Sequence, residues 1–99
     1  MTLKDEDSGR TVEVHPGSTV TIRLNEGTTG YRWAVENADG LQQIGDRNEP
    51  GGAVGSTGVR VIEFRASSPG SHNLKLKNWR EFEGDSSVIG RFTVRVNVK

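Results

Sequence analysis

Between Val12 and Val98 apolar and polar residues alternate with a period of two almost everywhere, the mark of half-buried β-strands. Phe92, Val94, Val96 and Val98 give the cleanest run, and Val20, Ile22 and Leu24 alternate in the same way with Thr21 and Arg23. Tyr31, Trp33 and Val35 share one face, opposite Arg32, Ala34 and Glu36. His72, Leu74 and Leu76 alternate with Asn73, Lys75 and Lys77, and Val12 and Val14 start a further strand. Val59, Val61, Ile62, Phe64 and Ala66 form another, in which the adjacent pair Val61 and Ile62 predicts a bulge or a change of phase. No window carries apolar residues at helical spacing, so very little helix is expected.

Turn chemistry divides these runs. Pro16-Gly17-Ser18, Asn37 to Gly40 and Ser67 to Gly70 are turn clusters. Leu41 to Ile44 reads as a weak short strand, Gly45 to Gly58 as a long glycine-rich loop, and Arg80 to Gly90 as a polar loop. About seven short strands with turn signals every 8–12 residues predict an all-β, immunoglobulin-like antiparallel β-sandwich. The 99 residues suit a single domain spanning 1–99, with residues 1–9 expected as a flexible arm. With no cysteine there is no disulfide, so the core must rest on aliphatic and aromatic packing, and Trp33 is its expected centre.

Several kinds of chemistry are excluded. Thirteen basic residues balance 13 acidic ones, which argues against nucleic-acid binding, since that depends on surplus positive charge. A mean hydropathy of -0.61 leaves no candidate membrane span. The segment Met1 to Arg10 is acidic and polar, unlike a secretory signal, so an intracellular location or export with the signal already removed fits equally. The absence of cysteine removes thiolate metal sites and thiol nucleophiles. His15 and His72 lie in different strands and read as surface or turn histidines, and Asp5-Glu6-Asp7 lacks calcium-loop spacing and reads as a solvated charge cluster. Gly55-Ser56-Thr57-Gly58 has neither the lysine nor the following helix of a phosphate-binding loop. No nucleophile, base and orienting group assemble in the sequence, so it is not read as an enzyme, and no cofactor or metal is expected.

What remains is a set of three segments at strand ends: Gly27-Thr28-Thr29-Gly30 before Tyr31, Gly55-Ser56-Thr57-Gly58 before Val59, and Lys77-Asn78-Trp79. In an immunoglobulin-like sandwich the loops after alternate strands gather at one end, so the three are expected to form one tip. In this order they resemble the chagasin-type inhibitors of cysteine peptidases. The first inhibitory loop of that family carries Asn-Pro-Thr-Thr-Gly and then an aromatic residue, to which Thr28-Thr29-Gly30-Tyr31 is similar, with Trp33 two residues on. The second carries Gly-x-Gly-Gly, matched by Gly55-Ser56-Thr57-Gly58, and the third Arg-Pro-Trp, aligned with Lys77-Asn78-Trp79. The departures are Glu26-Gly27 in place of Asn-Pro, Thr57 in place of a glycine, and Lys77-Asn78 in place of Arg-Pro. Two rigid prolines are thereby lost, and rigidity is a source of affinity in preorganised binders.

The resemblance implies a reversible, competitive wedge. The first loop would enter the cleft of a papain-like, cathepsin L-type cysteine peptidase, and the other two would grip either side, with Trp79 as a rigid aromatic anchor. It implies no covalent step, no cofactor and a monomer. The competing expectation is an immunoglobulin-like adhesion or carbohydrate-binding module that uses the same loops.

Overall fold

The computed structural model describes residues 1–27, 29–51 and 57–99. Eight strands build two four-stranded sheets: β1 (Thr2–Lys4), β2 (Thr11–Val14), β3 (Ser18–Glu26), β4 (Arg32–Asn37), β5 (Gln42–Glu49), β6 (Gly58–Ala66), β7 (Gly70–Trp79) and β8 (Gly90–Val98). One sheet has the order β1-β3-β6-β5 and the other β2-β8-β7-β4. The long pairings β3–β6, β5–β6, β4–β7 and β7–β8 are antiparallel, whereas β1 and β2 join their sheets parallel to β3 and β8. Helical structure among the described residues is limited to three-residue 3-10 turns at Asp5–Asp7, Glu81–Glu83 and Asp85–Ser87.

The alternation read from the sequence is the alternation of burial. Val20, Ile22 and Leu24 of β3 meet Leu74 and Leu76 of β7 and Phe92, Val94 and Val96 of β8 in one core. Each such side chain contributes about 1.5–3 kcal/mol by leaving water. Phe64 and Phe92 are the largest fully buried side chains, and the core is centred on them rather than on Trp33. Trp33 is only half-buried, because β4 is the outer strand of its sheet and leaves one side of the indole uncovered.

Four further expectations are corrected. Residues 1–9 are no arm: Leu3 pairs with Ile22 and is 2% exposed, its apolar side chain closing the core beneath β3. The segment from Gly45 is not all loop, since β5 runs to Glu49. Its sequence conceals this because an outer strand wet on both sides needs no apolar alternation. It is held by its backbone ladder and by ion pairs, Arg47 to Glu63 at 2.6 Å and Arg23 to Glu49 at 2.7 Å. Register shifts lie in β5, where Ile44 falls between paired residues, and in β4, where Glu36 does, and not at Val61-Ile62. Those two are both buried because β6 is an interior strand: Ile62 faces the core, and Val61 lies on the other face between its cross-strand partners Arg23 and Arg47. Finally, His72 is 8% exposed: its Nδ1 accepts from the Gly40 amide at 3.2 Å and its Nε2 donates to the Ser68 carbonyl at 2.8 Å. A Cβ on Gly40 would stand 2.5 Å from the imidazole, so only glycine fits against this ring.

Candidate functional site

Chain direction decides where the loops fall. β3, β5 and β7 end, and β4, β6 and β8 begin, at the same end of the sandwich, so the three connections that carry the sequence motifs share one tip. The first connection crosses from one sheet to the other, and its base is fixed by Trp33. The Trp33 amide donates to Glu26 Oε2 at 2.9 Å and the indole Nε1 to the Asn25 carbonyl at 2.8 Å.

Beneath the tip lies a buried charge cluster. Glu26, 4% exposed, receives Arg60 Nε at 3.0 Å, Arg60 Nη2 at 2.8 Å and Asn48 Nδ2 at 2.9 Å in addition to the Trp33 amide. Arg60 also reaches Asp46 at 3.0 Å. Burial pushes the Glu26 carboxyl toward its neutral form, but the bonds from Arg60, the Trp33 amide and Asn48 outweigh it and hold the group below the usual carboxylate range. This cluster links β3, β4, β5 and β6 at the root of two loops, and nothing in the one-dimensional pattern pairs its members.

The predicted site residues are placed as follows. Gly27, Thr29 and Gly30 are exposed, with Gly30 at φ +91°, a conformation that glycine adopts without strain. Thr28, Gly55 and Ser56 lie outside the described residues. Thr57 is exposed, whereas Gly58 is buried, where a Cβ would come within 3.0 Å of the Glu49 carbonyl. Trp79 pairs with Arg32 across β4 and β7 and is half-buried. Lys77 stands behind it, its Nζ 3.5 Å from the centre of the Trp79 ring and 3.0 Å from Asp85. Asn78 is half-buried, and its carbonyl accepts from the Ile89 amide at 2.9 Å.

Two neighbours were not singled out from the sequence. Arg80 sends Nη2 to the Thr29 carbonyl at 2.9 Å and lays its guanidinium 4.3 Å from the centre of the Tyr31 ring. It therefore joins the first and third loops directly. Phe82, in the Glu81–Glu83 turn, is 82% exposed beside Trp79, and an aromatic residue inside an otherwise polar loop was the available signal. Between β4 and β5, one outer strand from each sheet, a groove of about 600 Å³ opens; it is lined by Gly30, Trp33, Val35, Trp79 and Phe82, with Asp46 and Arg60.

A sandwich that ties its first loop to its third, with an exposed glycine and aromatic side chains beside that junction, defines a protein built for recognition. Residues 13–96 match the family described as chagasin family peptidase inhibitor I42, and the chain belongs to that family. It is an inhibitor and not an enzyme. Among curated relatives it is 27% identical over 107 residues to Amoebiasin-1 of Entamoeba histolytica, with 100% of both chains covered. Among solved structures it resembles the cysteine protease inhibitor EhICP2 from Entamoeba histolytica, with TM-score 0.84 and 20% identity, covering 99% of this chain and 93% of that one. It is also similar to Amebosin, with TM-score 0.77, 27% identity and coverage of 99% and 96%. PbICP-C in complex with falcipain-2 gives TM-score 0.68 at 14% identity, with coverage of 99% and 98%, and shares the fold.

Proposed function

We propose that this chain inhibits papain-like cysteine peptidases reversibly and competitively, as a monomer, by lodging the Gly27–Gly30 loop in the active-site cleft. Inhibition of cysteine peptidases is the activity that its family and relatives carry. Our own reading is the mode of engagement and the preference for cathepsin L-type enzymes. The observation that supports it is the shared tip, at which Gly30 and Trp79 line one groove and Arg80 ties Thr29 of the first loop to the third.

The physical argument is steric and energetic. A loop of glycines and small threonines can approach a catalytic thiol closely without a bulky side chain to keep it out. Trp79 offers a rigid aromatic surface with its back face occupied by Lys77, so little rotamer freedom is lost when it is covered. A standard interface of about 1,600 Å² then provides tight binding with no covalent step.

Titration of active papain and of a cathepsin L-type enzyme with the purified protein tests the reading. Competitive inhibition with recovery of uncut protein is expected, with serine and metallopeptidases unaffected. No inhibition of either enzyme at micromolar concentration overturns it.

A further inference from the structure

We propose that Arg80 is a positioning residue for inhibition: its guanidinium holds the first loop in its binding conformation from the base of the third. The inference rests on the inhibitory reading above and names a residue of the third loop as the support of the first.

The first loop needs such a support. Gly27 and Gly30 flank the threonine pair, and glycine leaves the backbone free to sample many conformations. Arg80 closes on this loop in two ways. Its Nη2 donates to the Thr29 carbonyl at 2.9 Å across 51 residues of sequence, and its guanidinium carbon lies 4.3 Å from the centre of the Tyr31 ring. Gly30 turns the chain there at φ +91°, a conformation that glycine adopts without strain, with Arg80 Nε at ordinary contact distance from where a Cβ would stand.

The support is itself anchored. The Arg80 amide donates to Ser87 Oγ at 3.0 Å, and that hydroxyl, in a residue only 8% exposed, reaches the Gly84 carbonyl at 2.6 Å. Arg80 Nη1 pairs with Glu83 Oε1 at 3.1 Å. A buried serine thus fixes the arginine backbone, an acidic neighbour aims the guanidinium, and the guanidinium fixes the loop. Only a planar fork serves carbonyl, carboxylate and ring face together; a lysine ammonium is a single point charge on a flexible stem. Order established before binding is order that binding need not impose, so the effect reaches the inhibition constant.

Three measurements on Arg80→Ala and Arg80→Lys test this: hydrogen exchange of the Gly30 and Tyr31 amides in the free protein, thermal melting, and inhibition of papain. Expected for both variants are faster exchange at these amides, melting within a few degrees of the parent, and an inhibition constant raised about tenfold. Unchanged exchange in Arg80→Ala overturns the proposal whatever the peptidase does. Faster exchange with unchanged inhibition overturns it as well, as does full recovery by Arg80→Lys. Should the parent fail to inhibit papain, the functional reading fails instead, and exchange still decides whether Arg80 holds the loop. If Arg80→Ala unfolds the domain, Tyr31→Leu removes the stacked face alone and must give the same local exchange.

Discussion

Replacing Glu26 by alanine removes the one carboxylate that receives four hydrogen bonds beneath the tip: two from Arg60, one from Asn48 and one from the Trp33 amide. Removing one partner of a buried ion pair costs about 3–5 kcal/mol, because the other is left buried and uncompensated. Arg60 keeps Asp46 at 3.0 Å, which places the loss near the lower end, about 3 kcal/mol. In a domain of about 100 residues each kcal/mol moves the melting temperature by about 4–8 °C, so a fall of at least about 12 °C is expected. Acid provides a second arm. The Glu26 carboxyl is held below its ordinary value, so the folded state takes up its proton less readily than the unfolded chain. Its contribution is therefore complete above the usual carboxylate range, about pH 4, and is lost as pH falls through the lower folded value. Melts of wild type and Glu26→Gln from pH 7 to 3 check this, with a flatter acid limb in the variant. A loss below about 1 kcal/mol in Glu26→Ala at pH 7 refutes the reasoning, since a buried carboxylate with these partners cannot be that dispensable.

Further outcomes are expected from the tip and the sheets. Thr29→Trp places a bulky group at the apex and is expected to weaken papain inhibition while melting stays near that of the parent, because Thr29 is exposed; equal inhibition removes this loop from the contact. Trp79→Ala is expected to raise the inhibition constant at least about tenfold, or about 1.4 kcal/mol, with a stability cost of about 1–2 kcal/mol from lost packing and the lost Lys77 contact; unchanged inhibition in titration excludes it from the site. Phe82→Ser is expected to leave melting within about 0.5 kcal/mol of the parent and to speed dissociation from the peptidase, as surface kinetics would read. Leu3→Ala is expected to cost about 2–5 kcal/mol by denaturant melts, whereas a segment that merely trails from the sheet would cost nothing.

Local pattern determined much of this protein. Alternation placed β2, β3, β4, β7 and β8, since a strand with one dry face writes that face into every second residue, and β6 was read from an apolar run whose period Val61 and Ile62 break. Turn residues supplied the breaks, and three short motifs in order were enough for the family resemblance. Strand phase also put Lys77 and Trp79 on the face opposite Leu74 and Leu76, and they do share it. Elsewhere the pattern fell silent for physical reasons. β5 stands at a wet edge, so its polar residues carry no period, and β1 contributes a single buried side chain, Leu3, too few to show one. Trp33 looked central by size and phase, but the place of β4 at the edge of its sheet leaves it half covered. Contacts between residues far apart in sequence belong wholly to the tertiary structure. Glu26 with Arg60 spans 34 positions and Thr29 with Arg80 spans 51, and each pair is a charge or a carbonyl whose partner is chosen by chain path, not by neighbours. The sequence thus determined the strands that bury one face and the loops that could meet; the polar edge strand β5, the short β1 and the bonds that tie Arg80 to Thr29 and Arg60 to Glu26 were decided only when folding brought distant residues together.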